Sequence, residues 1–332
     1  MIWNRSKKLF SAWLPLGVLG LLITAHVEVI SAASIRMAVL GDSISAGSGV
    51  SGGSPNWVAQ LKTAGGITFT DKAVGGATSD TVVSGQLSSV VTLAHNGSID
   101  DSTLIIGGND AVAAALNIAG GGDPTAFIND YVGNIKNVIN SIAAANPNVH
   151  QVFGNMPDVT VTPAVQEVAA ENGITLAQLH LVSLAIGQAN AQADAYALSH
   201  GVPVVDLYSA SQQITPLIPL TLGGHTFTTA FAPDDFHPAV FLQGLLANMV
   251  DTAYNQYFHQ SLPIISDQQI VRNAGFTPIT NPPNTDPTYF NVQPFVILPT
   301  PEPASAVLAV MAVLGLLACG RRRIVAVARS VR

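Results

Sequence analysis

Residues 35–49 read Ile-Arg-Met-Ala-Val-Leu-Gly-Asp-Ser-Ile-Ser-Ala-Gly-Ser-Gly. The apolar run Met37 to Leu40 is short, as a buried strand is, and it breaks at Gly41 into a loop of Gly and Ser. That order sets a side chain at the carboxyl end of a strand, where open α/β sheets carry their sites. The side chain so presented is Ser43, between Asp42 and Ile44. A serine hydroxyl is a weak nucleophile alone, so the reading requires a base and oxyanion donors elsewhere in the chain. Ser45 and Ser48 are rival nucleophiles, deeper in the same loop.

Outward from this stretch the pattern alternates. Strands are expected at 37–40, 67–71, 103–106, 149–153 and 202–207, and helices at 57–64, 78–95, 124–145, 176–199 and 238–258. The 124–145 assignment rests on Phe127, Ile128, Tyr131, Val132, Ile135, Val138, Ile139 and Ile142 at helical spacing. Pro238 suits the first position of the last helix. Strands alternating with helices imply parallel pairing through right-handed crossovers, hence an α/β fold of three layers, α/β/α. Residues 261–300 hold seven prolines and read as an extended spacer, of which 264–276 can still pack on the domain.

Candidates for the remaining chemistry lie after successive strands. Asp234 stands three residues before His237 in Ala-Pro-Asp-Asp-Phe-His-Pro, so its carboxylate can reach the same imidazole and fix its tautomer. The same spacing also suits an N-capping Asp beside a surface His, or two metal ligands. Gly75-Gly76-Ala77-Thr78 follows the second strand and Gly107-Gly108-Asn109-Asp110 the third. A Gly backbone N–H and the Asn109 amide are therefore candidate oxyanion donors, although such turns also serve backbone geometry and helix capping alone. Gly47-Ser48-Gly49 is not followed by the Lys-Ser/Thr of a phosphate loop.

Taken in order, Gly41-Asp42-Ser43, Gly76 in Ala-Val-Gly-Gly-Ala-Thr, Gly107 to Asp110, and Asp234-x-x-His237 resemble the blocks of the SGNH/GDSL hydrolases. Pro157-Asp158 and Thr162-Pro163 resemble the PD-x-x-x-TP region of the GDSL lipase/acylhydrolase branch. Ile44 replaces the usual Leu, a conservative apolar change, and Gly76 is preferred to Gly75 because Ala-Thr follows it. The resemblance covers nearly all of 35–258. It implies a flavodoxin-like sandwich with a parallel five-stranded sheet in the order 2-1-3-4-5. It implies Ser43 as nucleophile, His237 as base and Asp234 as its partner. It further implies the Ser43 N–H, the Gly76 N–H and the Asn109 side chain as the oxyanion hole, and no cofactor or metal. The activity implied is that of a serine ester hydrolase on a lipid, a short-chain ester or an acetylated polysaccharide. The alternatives are a carbohydrate O-acetylesterase and a non-catalytic surface protein that binds polysaccharide.

Both ends of the chain carry processing signals. Residues 1–33 hold Arg5, Lys7 and Lys8, an apolar run, and Ser31-Ala32-Ala33, the order of a secretory signal peptide. Pro301-Glu302-Pro303, an apolar run to Cys319 and Arg321-Arg322-Arg323 resemble the PEP-CTERM sorting signal of Gram-negative bacteria, here 301–323, followed by a tail of 324–332. Signal peptidase and an exosortase are the processing partners so implied, with transient anchoring by the C-terminal run and release at the cell surface or into the extracellular matrix. The expected division is thus 1–33, a hydrolase domain of 34–260, the spacer, and the sorting signal. Five of the 13 Lys and Arg and 19 of the 20 Asp and Glu lie within 34–303, a net charge near −14. So acidic a surface disfavours nucleic acid. The lone cysteine, Cys319, excludes a disulfide framework.

Overall fold

The computed structural model describes residues 34–49, 54–279 and 291–300. The expected signal peptide, sorting signal and tail lie outside the described residues. Among the described residues no helix is long and apolar enough to cross a membrane.

Strand β1 (Ile35–Gly41) is the centre of the assembly. Its apolar run is buried on both faces, which is why it reads as continuous rather than alternating. Met37 and Val39 face one core, Ala38 and Leu40 the other, as the two-residue period of a strand requires. A four-residue helix α1 (Ser43–Ala46) follows, then α2 (Trp57–Ala64), β2 (Ile67–Asp71), a short α3 (Ser79–Thr81), α4 (Leu87–His95) and β3 (Asp101–Ile105). Next come α5 (Gly108–Ala119), α6 (Thr125–Ala145), β4 (His150–Gly154), α7 (Pro163–Glu171), α8 (Leu176–Ser199), β5 (Val204–Val205) and α9 (Leu207–Ile214). A hairpin, β6 (Leu220–Leu222) and β7 (His225–Phe227), precedes α10 (Val240–Tyr257), α11 (Asp267–Asn273) and β8 (Val296–Ile297).

The fold is an α/β sandwich. The sheet runs β2-β1-β3-β4-β5-β8, with the first five strands parallel in the expected order. A sixth strand, β8, adds antiparallel to β5. One core joins the sheet to α4, α5, α6 and α8 through residues such as Leu104, Tyr131, Ile135, Phe153 and Ile186. The other joins it to α2, α9, α10 and α11 through Trp57, Leu61, Phe241, Val250 and Ile270. Fully burying one such side chain is worth roughly 1.5–3 kcal/mol, so each core rests on many comparable contributions.

Three expectations are revised. The 78–95 helix is broken by a π turn at Val82–Gln86 between α3 and α4. Pro238 does not open α10; it bridges to Phe231, and Ala239 is the N-cap. The 261–300 stretch is not wholly a spacer: Leu262, Ile265, Ile270, Val271 and Phe295 are buried in the second core. The packing allowed for 264–276 is therefore present, and β8 lies beyond it.

Candidate active site

Between β1 and β3 the crossovers diverge to opposite sides of the sheet, which opens a crevice at the strands' carboxyl ends. Gly41, at the end of β1, has a φ of +154°, and a β-carbon there would stand 2.4 Å from the Ile105 carbonyl oxygen. Only glycine lets the chain turn so close to β3. The Gly41 N–H donates to Gln86 Oε1 (2.9 Å), and Gln86 Nε2 donates to the Gly41 carbonyl (2.8 Å). A buried carboxamide thus pairs with the peptide that precedes the site. Gln86 was not singled out in the sequence, where nothing distinguishes it from other polar helix residues.

Asp42 caps α1, its Oδ1 accepting the Ile44 N–H (3.0 Å). Burial pushes its carboxyl up to about 6, against that hydrogen bond and the nearby His237, which pull it down. Ser43 is the first residue of α1, so its N–H has no intrahelical acceptor. The rival serines are placed elsewhere: Ser45 is fully buried and accepts the Trp57 indole N–H (3.2 Å), and the Ser48 N–H donates to the Ser43 carbonyl (2.9 Å). Neither lines the cleft that Ser43 lines.

The Asp-x-x-His segment is a tight turn before α10. Asp234 Oδ1 accepts the N–H groups of Phe236 (3.1 Å) and His237 (3.0 Å). Asp234 Oδ2 lies 2.7 Å from His237 Nδ1. Burial raises the Asp234 carboxyl, but these hydrogen bonds outweigh it and hold the group below the usual carboxylate range. An Nδ1–H given to Asp234 leaves Nε2 as the ring's proton acceptor. Nε2 is buried and has no hydrogen-bond partner among the described residues. Gly49, with a φ of +80°, packs on this pair; a β-carbon on it would stand 2.5 Å from His237 Cβ and 2.8 Å from Asp234 Oδ2. The loop after Ser43 is therefore in contact with the base and its partner.

Gly107, at a φ of +124°, turns the chain from β3 into α5, where a β-carbon would meet Tyr131 and Met156. Asn109 lies in the first turn of α5, and its Nδ2 donates to the Ala77 carbonyl (2.9 Å). Asp110 does not cap its own helix; it accepts the N–H (2.9 Å) and O–H (2.6 Å) of Ser79, at the start of α3. Gly76 sits in the turn closed by the Ala77 N–H to the Val74 carbonyl (3.1 Å), at a φ of +79°. It is exposed and does not line the cleft, a difference from the expected convergence of all three oxyanion donors. Its turn is nonetheless tied to Asn109 through Ala77.

Ser43, Asn109 and His237 open onto one cleft, with Asp234 behind His237. Its walls come from the 157–162 segment, α9, α10 and Phe231. The β6–β7 hairpin, where Phe227 stacks on Phe241, does not line the cleft. Asp158, in the 157–163 motif, has both oxygens engaged: by Thr160 N–H and O–H, Ser183 O–H and Gln212 Nε2. It therefore braces the wall. Among the described residues no group of three or more His, Cys, Asp and Glu side chains is placed to hold a metal ion.

A sandwich of this topology with Ser, His and Asp gathered at its carboxyl edge has the layout of a hydrolase. The chain belongs to the GDSL-like Lipase/Acylhydrolase family, whose model matches residues 39–240. It is a carboxylic ester hydrolase. Among solved structures it is similar to phospholipase A1 from Streptomyces albidoflavus NA297, at 21% identity and a TM-score of 0.42, covering 62% of this chain and 93% of that one. It is also similar to the lipase Lip_vut3 from a goat rumen metagenome, at 15% identity and 0.45, covering 61% and 90%. A third is a catalytic mutant of Axe2, an acetylxylan esterase from Geobacillus stearothermophilus, at 16% identity and 0.44, covering 69% and 96%. No curated protein matches the sequence.

Proposed function

We propose that the chain hydrolyses carboxylic esters through Ser43, His237 and Asp234 by way of an acyl-enzyme. The observation that carries this reading is the His237 ring, held through Nδ1 by Asp234 with its buried Nε2 unpaired, lining the same cleft as Ser43. Nε2 takes the Ser43 proton as Oγ attacks the ester carbonyl, and Asp234 stabilises the imidazolium so formed. The Ser43 N–H and the Asn109 amide stabilise the tetrahedral oxyanion. His237 then gives the proton to the leaving alkoxide, and water repeats the sequence on the acyl-enzyme. His237→Asn is expected to lower kcat on p-nitrophenyl butyrate by on the order of 10³-fold or more. Hydrolysis undiminished in His237→Asn would remove the base from this scheme.

The same proposal places the enzyme outside the cytoplasm of a Gram-negative bacterium. The support is in the sequence: the basic, apolar and small-residue order of 1–33, and the Pro-Glu-Pro, apolar and Arg order of 301–323. Intact mass of the protein recovered from producing cells is expected to correspond to a chain starting near Ser34 and ending near Pro301 to Pro303. Recovery of an unprocessed 332-residue chain would refute it.

A further inference from the structure

Strand β2 stops short of the end of β1. Its last rung sets Asp71 beside Val39, and just past it the Lys72 N–H donates to the Val39 carbonyl (2.8 Å). Alternate residues of a parallel strand turn their N–H and carbonyl to the same neighbour, so the next β1 residue to face that side is Gly41. The Val74 N–H reaches the Gly41 carbonyl (3.1 Å). The Gly41 N–H goes instead to a side chain, Gln86 Oε1 (2.9 Å), and Gln86 Nε2 donates to the Gly41 carbonyl (2.8 Å). One planar carboxamide thus supplies the acceptor and the donor that a longer β2 would have offered. Gly41 itself carries no side chain to anchor it, because a β-carbon would meet the Ile105 carbonyl. Ser43 follows two residues later.

Gln86 reaches this point from the π turn Val82–Gln86, in which the Leu87 N–H bonds to the Val82 carbonyl five residues back. Such turns hold one residue more than an α turn and recur at functional sites. Here Gln86 and Leu87, neighbours in sequence, are both buried, Leu87 in the first core and Gln86 on Gly41. A buried amide is costly unless its hydrogen bonds are made, and both ends of this one are made to a single peptide unit's residue.

We propose that Gln86 is a positioning residue for the reaction: its carboxamide fixes the end of β1 at Gly41, and through Asp42 the turn that presents Ser43 to the cleft. The proposal rests on the Ser43 reading and adds to it a residue that lines no part of the cleft.

The full chain is assayed on p-nitrophenyl butyrate as Gln86→Leu, Gln86→Glu and Ser43→Ala. Gln86→Leu removes both hydrogen bonds at similar volume. Its kcat is expected to fall on the order of 10²-fold, the cost of displacing a reacting group by about 1 Å, with KM held within about threefold because the cleft walls are unchanged. Gln86→Met reads the same split should the leucine variant not fold. A residue that served stability alone would lower the melting temperature and leave kcat, measured well below it, at the parent value. Gln86→Glu supplies the conservative rescue. A neutral carboxylic acid both accepts and donates, as the carboxamide does, whereas a carboxylate only accepts. At about pH 5.5, where burial keeps such a group neutral, Gln86→Glu is expected to retain roughly ten times the kcat of Gln86→Leu. A Gln86→Leu kcat equal to the parent's, or Gln86→Glu as impaired as Gln86→Leu at that pH, overturns the positioning role. Either result beside an inactive Ser43→Ala strikes that role alone; Ser43→Ala at the parent's rate strikes the Ser43 reading and the role with it.

Discussion

Gly49 carries no functional group, yet it stands between the nucleophile's loop and the base. Its φ of +80° already disfavours a side chain, and a β-carbon would press within 2.7 Å of His237 Cγ. Misplacement of a catalytic group by about 1 Å costs on the order of 10²-fold in rate. Gly49→Ala is therefore expected to lose about 100-fold in kcat/KM while keeping the parent's circular-dichroism spectrum; full activity would show that the loop does not position His237. The gathering of Ser43, Asn109 and His237 at one cleft, with Asp234 on His237, was legible in the sequence because each lies in a local feature: a strand end, a tight turn, a strand end again. Gly49 and Gln86 were not. Gly49 meets a partner 188 residues away and Gln86 one 45 residues away, and no short-range pattern encodes those contacts.

Elements whose burial follows one period were readable before any coordinates. α8 occupies the 176–199 range that its composition implies, opened by the Thr175–Gln178 capping box. α6 begins within one residue of its expected start and buries the apolar positions Ile128 to Ile142. α9 was hidden because the apolar run at 202–207 masks the place where the strand ends; Asp206 accepts the Ser209 N–H (3.0 Å) and starts a helix there, leaving β5 two residues long. The β6–β7 hairpin did carry a signal, Gly223-Gly224 at φ values of +54° and +80° between two short apolar runs. In β8 the prolines around a short strand resemble a linker, and only the pairing of Val296 with Val205 and the burial of Phe295 make it part of the sheet. Both hidden elements matter for function, since α9 supplies one wall of the cleft and β8 covers the strand that leads into it.

At the scale of the whole molecule, the end of the sheet opposite the cleft carries a buried acidic group. Asp251 on α10 is fully buried and neither of its carboxylate oxygens has a partner among the described residues. Burial, and then the charge of Asp101, push it up to about 8. Asp101, at the start of β3, is itself held by His150 (3.1 Å) and Gln260 (2.9 Å). A carboxyl whose folded pKa lies above its unfolded value of about 3.9 leaves stability intact below pH ~4 and lowers it as pH rises towards 8. Asp251→Asn removes that dependence, so its melting temperature is expected to exceed the parent's by roughly 5 °C at pH 8, with the gap closing towards pH 4. A difference of equal size at both pH values would contradict the buried-carboxyl account.

All of these levels converge on one hydroxyl. The most direct test is intact-mass analysis of the protein after treatment with a serine-reactive alkyl phosphonate, run beside Ser43→Ala and paired with hydrolysis of p-nitrophenyl octanoate. One adduct per chain, located on the peptide that contains Ser43, absent in Ser43→Ala and matched by a loss of turnover, is the predicted result. An adduct on another serine, or turnover undiminished in Ser43→Ala, would contradict the account.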